Sequence, residues 1–288
     1  MKHSMPFPVG KDGLGKYELP GVERSVCVLK RLISGVIGAI ILLAVVLSGV
    51  LPLRIGIALV SALMVYELCK CVGASLSLLI PSAIYAALLS CEVIPLQFQR
   101  TVMCVFLLWI LTTALVRHKT IHIQEVALSA LSAFFVGCFM SCITKIRLEA
   151  GGAYWIWFVF FGAWLSDVFA YFSGYLFGKR KLIPSVSPKK TVAGAIGGAL
   201  GAAVGFVVFG YFTRYHLGDI NLLILFATGI IAAVCGQIGD LVASVIKRQY
   251  GIKDYGNIMP GHGGAMDRFD SILFVAPVMW LYLQLLHL

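Results

Sequence analysis

An all-α bundle of about nine transmembrane helices is the fold class this sequence predicts, and three observations predict it. Apolar residues make up 60% of the 288 and charged residues only 12%, about half the charge of an ordinary soluble domain. The apolar residues gather in runs near the length a helix needs to cross a bilayer core, about 20 residues. The Lys and Arg residues sit mostly between those runs and divide unevenly between alternate sides. A soluble pair of domains is excluded by the low charge, and a disordered chain by the amount of apolar side chain it would leave in water.

Residues 1–31 are polar and punctuated by Gly and Pro. A cleavable signal peptide would reach its apolar stretch sooner, so this is expected to be a cytoplasmic N-terminal segment. Apolar runs follow at roughly 32–51, 55–69, 73–94, 101–116 and 126–143, making an N-terminal membrane region over 32–150. Four more, at 153–177, 192–213, 222–246 and 270–287, belong to a region over 151–288 that carries the chemistry. The second and fourth runs are short and are expected to tilt or to merge with their flanks.

With the N-terminus in the cytoplasm and nine alternating spans, only Arg54, Arg100, Lys145, Arg147 and Arg214 of the 23 basic residues fall outside. That asymmetry fixes the orientation as N-terminus in and C-terminus out. The net charge of +10 would suggest nucleic acid in a soluble protein. Here it sets topology and meets anionic membrane lipids, and no nucleic-acid partner is expected. The eight cysteines include no CxxC pair and read as buried thiols rather than disulfides or a zinc site.

The first half of the chain offers little chemistry. Glu67, near the end of the second run, reads as a helix-end solvation or pairing device. Gly194, Gly197, Gly198, Gly201 and Gly205 in the seventh run include four-residue spacings that let a neighbouring helix approach closely. Packing within the chain or a homodimer would both use such a stripe.

Past residue 160 polar groups concentrate. Asp167 and Asp240 lie within apolar runs, where an uncompensated carboxylate costs about 2.5–3.5 kcal/mol on insertion scales, so they must face a wet or metal-filled interior or pair with cations. Asp240, Ser244 and Lys247 recur at i, i+4 and i+7 on one helix face, with Arg248 on its edge. In the stretch 253–271, Gly261, Gly263 and Gly264 leave backbone N–H groups unobstructed for a phosphate. Asp267 and Asp270 share a face and offer hard oxygen ligands for Mg²⁺, with His262 and Arg268 as charge-assisted donors. Upstream, Ser187, Lys189, Lys190 and Thr191 lead into a helix start, which suits an anion.

At these residues the sequence resembles the phosphatidate cytidylyltransferases, the CDP-diacylglycerol synthases. One block is Ser244-x2-Lys247-Arg248, Lys253-Asp254 and Pro260-Gly261-His262-Gly263-Gly264-x2-Asp267-Arg268-x-Asp270-Ser271. The other runs from Asp167 and Ala170-Tyr171-Phe172 to Ser187-Pro188-Lys189-Lys190-Thr191-x2-Gly194. The resemblance is dense over about 162–273. One departure stands out: Ala193 occupies the position where the family usually has Glu.

The resemblance implies transfer of a cytidylyl group from CTP to phosphatidic acid, giving CDP-diacylglycerol and pyrophosphate, with Mg²⁺ and a second cation left open. It implies Asp240, Asp267 and Asp270 as metal ligands, and Lys247, Arg248, His262 and Arg268 as groups that neutralise phosphate. Ser187, Lys189, Lys190 and Thr191 would grip a phosphate of CTP or of the lipid. Asp167 and Ser244 would line the cavity with Gly261, Gly263 and Gly264. A bacterial inner membrane with the site facing the cytoplasm is the expected setting. Competing readings are a cation transporter using Asp167 and Asp240, a cytidylyltransferase for another lipid phosphate, and a noncatalytic scaffold. A CDP-alcohol phosphotransferase is disfavoured, because the DG-x2-AR pattern is absent.

Overall fold

The computed structural model describes residues 21–256 and 263–286, with side chains from residue 33 onward. The described residues form nine helices and a short hairpin. The helices are α1 (Gly21–Leu47), α2 (Val50–Cys71), α3 (Leu76–Ser90), α4 (Leu96–Val116) and α5 (Ile123–Leu148), then α6 (Gly152–Phe177), α7 (Val192–Leu217), α8 (Leu222–Gln249) and α9 (Met266–Leu286). Strands β1 (Lys181–Ile183) and β2 (Ser187–Thr191) pair antiparallel between α6 and α7, with an irregular register.

Seven of these helices are long and apolar enough to cross a membrane, and two apolar pieces, Ile33–Leu47 and Leu76–Ser90, are shorter. Large apolar side chains such as Leu96, Leu115 and Phe212 stand exposed around the bundle, a surface that only lipid can cover at this scale. The protein is an all-α integral membrane protein. The runs expected to be short are not the short helices: α2 and α4 reach 22 and 21 residues, because helix continues through Arg54 and Arg100. The short one is α3, with 15 residues. Apolarity over 73–94 overran the turn at Gly73, which has φ +75°, and the turn at Glu92, the described non-glycine residue with positive φ.

Helices α2, α3 and α5 pack together as one group, and α6, α7, α8 and α9 as another, with α5–α9 contacts joining them. Helix α4 stays at the periphery, with Phe106 and Ile110 its buried residues. The core between the later helices is aromatic, with Phe158 edge-on to Phe206 and Phe209. The glycine stripe of α7 is used against α6. A Cβ at Gly201 would collide with the Phe169 ring, and one at Gly198 would lie 2.7 Å from Ser166 O. The stripe is therefore spent within the chain and leaves no free glycine face for a second copy.

Candidate active site

The C-terminal ends of α2, α6 and α8 meet the N-terminal starts of α7 and α9 at one end of the bundle, together with the hairpin and the 250–265 loop. The i, i+4, i+7 face on α8 forms as its spacing predicts. Ser244 Oγ donates to Asp240 Oδ1 at 3.4 Å, and Lys247 reaches across to Asp267 Oδ1 at 2.6 Å. Lys190, from β2, pairs with Asp240 Oδ2 at 2.6 Å. Arg248 turns outward and donates to Ile252 O at 3.3 Å, stapling its own loop.

A cavity of about 360 Å³ opens between α6, the hairpin and α7, lined by Asp167, Lys189, Lys190, Thr191 and Gln237 among others, within the usual size range for a small-molecule site. Ser187 starts the strand and does not line it. Thr191 lines the cavity but caps α7, accepting from Gly194 N at 3.1 Å. Gln237, which sequence reading passed over, donates Nε2 to Ser166 Oγ at 3.0 Å and Ala195 O at 3.1 Å. The polar floor of the cavity thus ties α6, α7 and α8 together.

Three carboxylates act on one another here: the charge of Asp240 is felt by Asp167 and by Asp270, and that of Asp167 by Asp270. Asp270 is 8% exposed and accepts from Ser271 N at 2.7 Å. Among the described residues no three His, Cys, Asp or Glu side chains close into a single ligand set. That still fits Mg²⁺, which commonly takes one or two carboxylates and completes its shell with water and substrate phosphates. Asp267 is differently engaged. Besides Lys247 it accepts from Tyr255 N at 2.8 Å and Gly264 N at 3.0 Å, so its oxygens hold the loop.

Gly264 serves differently from the expectation. Gly264 N–H is turned to Asp267, and Gly263, with φ +85°, packs against the same carboxylate where a side chain would be strained and crowded. Ala265 N and Met266 N donate to Glu67, from α2, at 3.0 and 2.8 Å. Gly261 and His262 lie outside the described residues. Arg268 is exposed, with its charge acting on Asp167. Tyr255 donates its hydroxyl to Ala243 O at 2.9 Å and places its ring 5.4 Å from the Lys247 ammonium. Burial pushes its phenol up, which keeps the donor proton in place. Tyr255 carried no periodic or motif signal, because both of its partners come from other elements.

The cavity is bordered by one carboxylate, Asp167, and by Lys181, Lys189 and Lys190, with Asp240 paired to Lys190. The chain belongs to the Cytidylyltransferase family, whose model matches residues 29–286. The phosphatidate cytidylyltransferase of Bacillus subtilis strain 168 is 35% identical over 266 residues, covering 89% of this chain and 97% of that one. The protein of the same name from Staphylococcus saprophyticus is 33% identical over 258 residues, covering 86% and 96%.

Proposed function

We propose that the protein transfers the cytidylyl group of CTP to phosphatidic acid, releasing pyrophosphate and forming CDP-diacylglycerol for phospholipid synthesis. The observation that carries this reading is the cavity bordered by Lys189, Lys190 and Asp167, with Asp240 held to Lys190 at its edge. A phosphate oxygen of the lipid attacks the α-phosphorus of CTP; the new P–O bond forms as the bond to the β-phosphate breaks, and both electrons leave with pyrophosphate. The attacking phosphate monoester is already ionised near neutral pH, so no protein nucleophile is required. In this reading Lys190 would trade its carboxylate partner for a phosphate oxygen, and Lys189, Lys247 and Arg268 would add positive charge around the site.

Asp240 and Asp270 would hold Mg²⁺, with Asp167 beside them and Asp267 supporting the loop from its edge. The ion would supply charge neutralisation between phosphates. Tyr171 and Tyr175 line the cavity and are 68% and 79% exposed on α6, so a lipid held by its acyl chains in the leaflet can reach the cavity from the side. The site end of the bundle faces the cytoplasm in this reading, where CTP is available, and the membrane is a bacterial inner membrane. The excess of Lys and Arg on that side supports the orientation.

The test is pyrophosphate release by detergent-purified protein given CTP, Mg²⁺ and dioleoyl phosphatidic acid, beside ATP and lipid-free controls. Release that needs both CTP and the lipid supports the reading. Release with CTP alone would make the protein a nucleotide hydrolase, and release only with another lipid phosphate would reassign the acceptor.

A further inference from the structure

The reaction scheme leaves one buried carboxylate unused. Glu67 is 1% exposed, although it lies within the last turns of α2. Among the described residues its hydrogen-bond partners are two backbone N–H groups, of Ala265 at 3.0 Å and Met266 at 2.8 Å, about 200 residues away in the chain. Gly256 and Gly264 bring the loop backbone against it, and a Cβ at either position would collide with its oxygens. The first N–H groups of a helix lack intrahelical partners and carry partial positive charge. An ionised carboxylate answers both needs, and here it comes from the other half of the molecule.

With Asp267 accepting from Gly264 N, three consecutive N–H groups at the start of α9 are satisfied by two protein carboxylates. They are not free to cradle a phosphate. Their occupation also fixes where α9 begins, and thus where Asp267 and, one turn later, Asp270 stand. Lys247 is placed in turn by its pairing with Asp267.

We infer that Glu67 is a positioning residue for the transfer site: from α2 it clamps the start of α9 and sets the register of Asp267, Lys247 and Asp270. The clamp rests on the geometry alone; the reaction it serves rests on the cytidylyltransferase reading above. The N-terminal helices are then part of the active site's framework and not merely its membrane anchor.

Glu67→Gln tests this, since it keeps the shape but removes the charge and turns an NH₂ group towards one of the two N–H donors. The expected result is a fall in kcat of about a hundredfold, the scale of an ångström's misplacement of reacting groups. KM for CTP should stay within about threefold, as for a residue that never touches the nucleotide. Hydrogen exchange should accelerate in peptides covering 263–270 and remain unchanged in α3 and α5. Glu67→Asp, which keeps the charge on a shorter arm, should recover part of kcat, and Gly264→Ala, which displaces the loop from the other side, should reproduce the loss.

Wild-type kcat together with wild-type exchange in Glu67→Gln would overturn the inference. So would a loss of activity matched by faster exchange throughout α2, α3 and α5, which would make Glu67 a residue of general stability. If the wild-type protein transfers nothing from CTP, the reaction reading fails, and the local exchange comparison alone decides whether the clamp exists.

Discussion

Lys247 and Asp267 lie 2.6 Å apart, with side chains only 11% and 5% exposed, and a buried pair of this kind is costly to break from one side. Asp267→Ala should lower stability by about 3–5 kcal/mol, because it strands a buried ammonium and frees two N–H groups. Thermal unfolding in detergent checks this, and adding Lys247→Met should restore part of the loss. Asp240 is more open, with its side chain 29% exposed. Asp240→Asn should keep the wild-type unfolding temperature while pyrophosphate release falls about a thousandfold, the scale for removing a major electrostatic contributor to a transition state. The two aspartates thus separate in stability although both are expected to be needed for turnover. Sequence made the Asp240, Ser244 and Lys247 face legible, since one helix period generates it. The roles of Glu67 and Tyr255 were not legible, because their partners come from distant segments and no local spacing encodes such a meeting. The shared environment of Asp167, Asp240 and Asp270, which three separate helices assemble, was legible through the family resemblance and not through any local spacing.

Helix α7 carries its specificity in glycines facing α6, and the i, i+4 spacing announced the close approach without naming the partner. Gly201→Leu should separate α6 from α7, since the Phe169 ring already fills the space a Cβ would need. Overpacking of this kind typically costs about 1–3 kcal/mol, and the unfolding temperature in detergent should fall accordingly. Pyrophosphate release should fall with it, because Asp167 and Lys190 line the cavity from either side of that contact. The hairpin was the element least legible in the sequence. Strands of three and five residues, with Thr191 their one buried residue, have no buried face to impose alternation, and the run of lysines reads only as a lead into a helix start. Helix boundaries erred for a related reason: Arg54, Arg100 and Asp267 sit inside helices, where hydropathy marks a gap although the backbone hydrogen bonds continue.

For the molecule as a whole, the site gathers helix ends from both halves of the bundle at a single end, which in the proposed orientation faces the nucleotide pool. In the proposed reading a divalent ion held by Asp240 and Asp270 is the counter-charge at that end. Removing it with EDTA should abolish pyrophosphate release, and added Mg²⁺ should restore it, without the change in unfolding behaviour that loss of a structural metal would bring. The bundle itself was legible from composition and charge placement, since lipid imposes those constraints on the whole chain. The most direct measurement is the fate of the α-phosphate, followed with α-labelled CTP, Mg²⁺ and dioleoyl phosphatidic acid in wild-type protein and in Asp240→Asn. Label moving into the chloroform-soluble lipid in step with pyrophosphate, and failing to do so in the variant, is the predicted result. Label that stays in water as CMP, or that reaches lipid equally well in Asp240→Asn, would contradict the account.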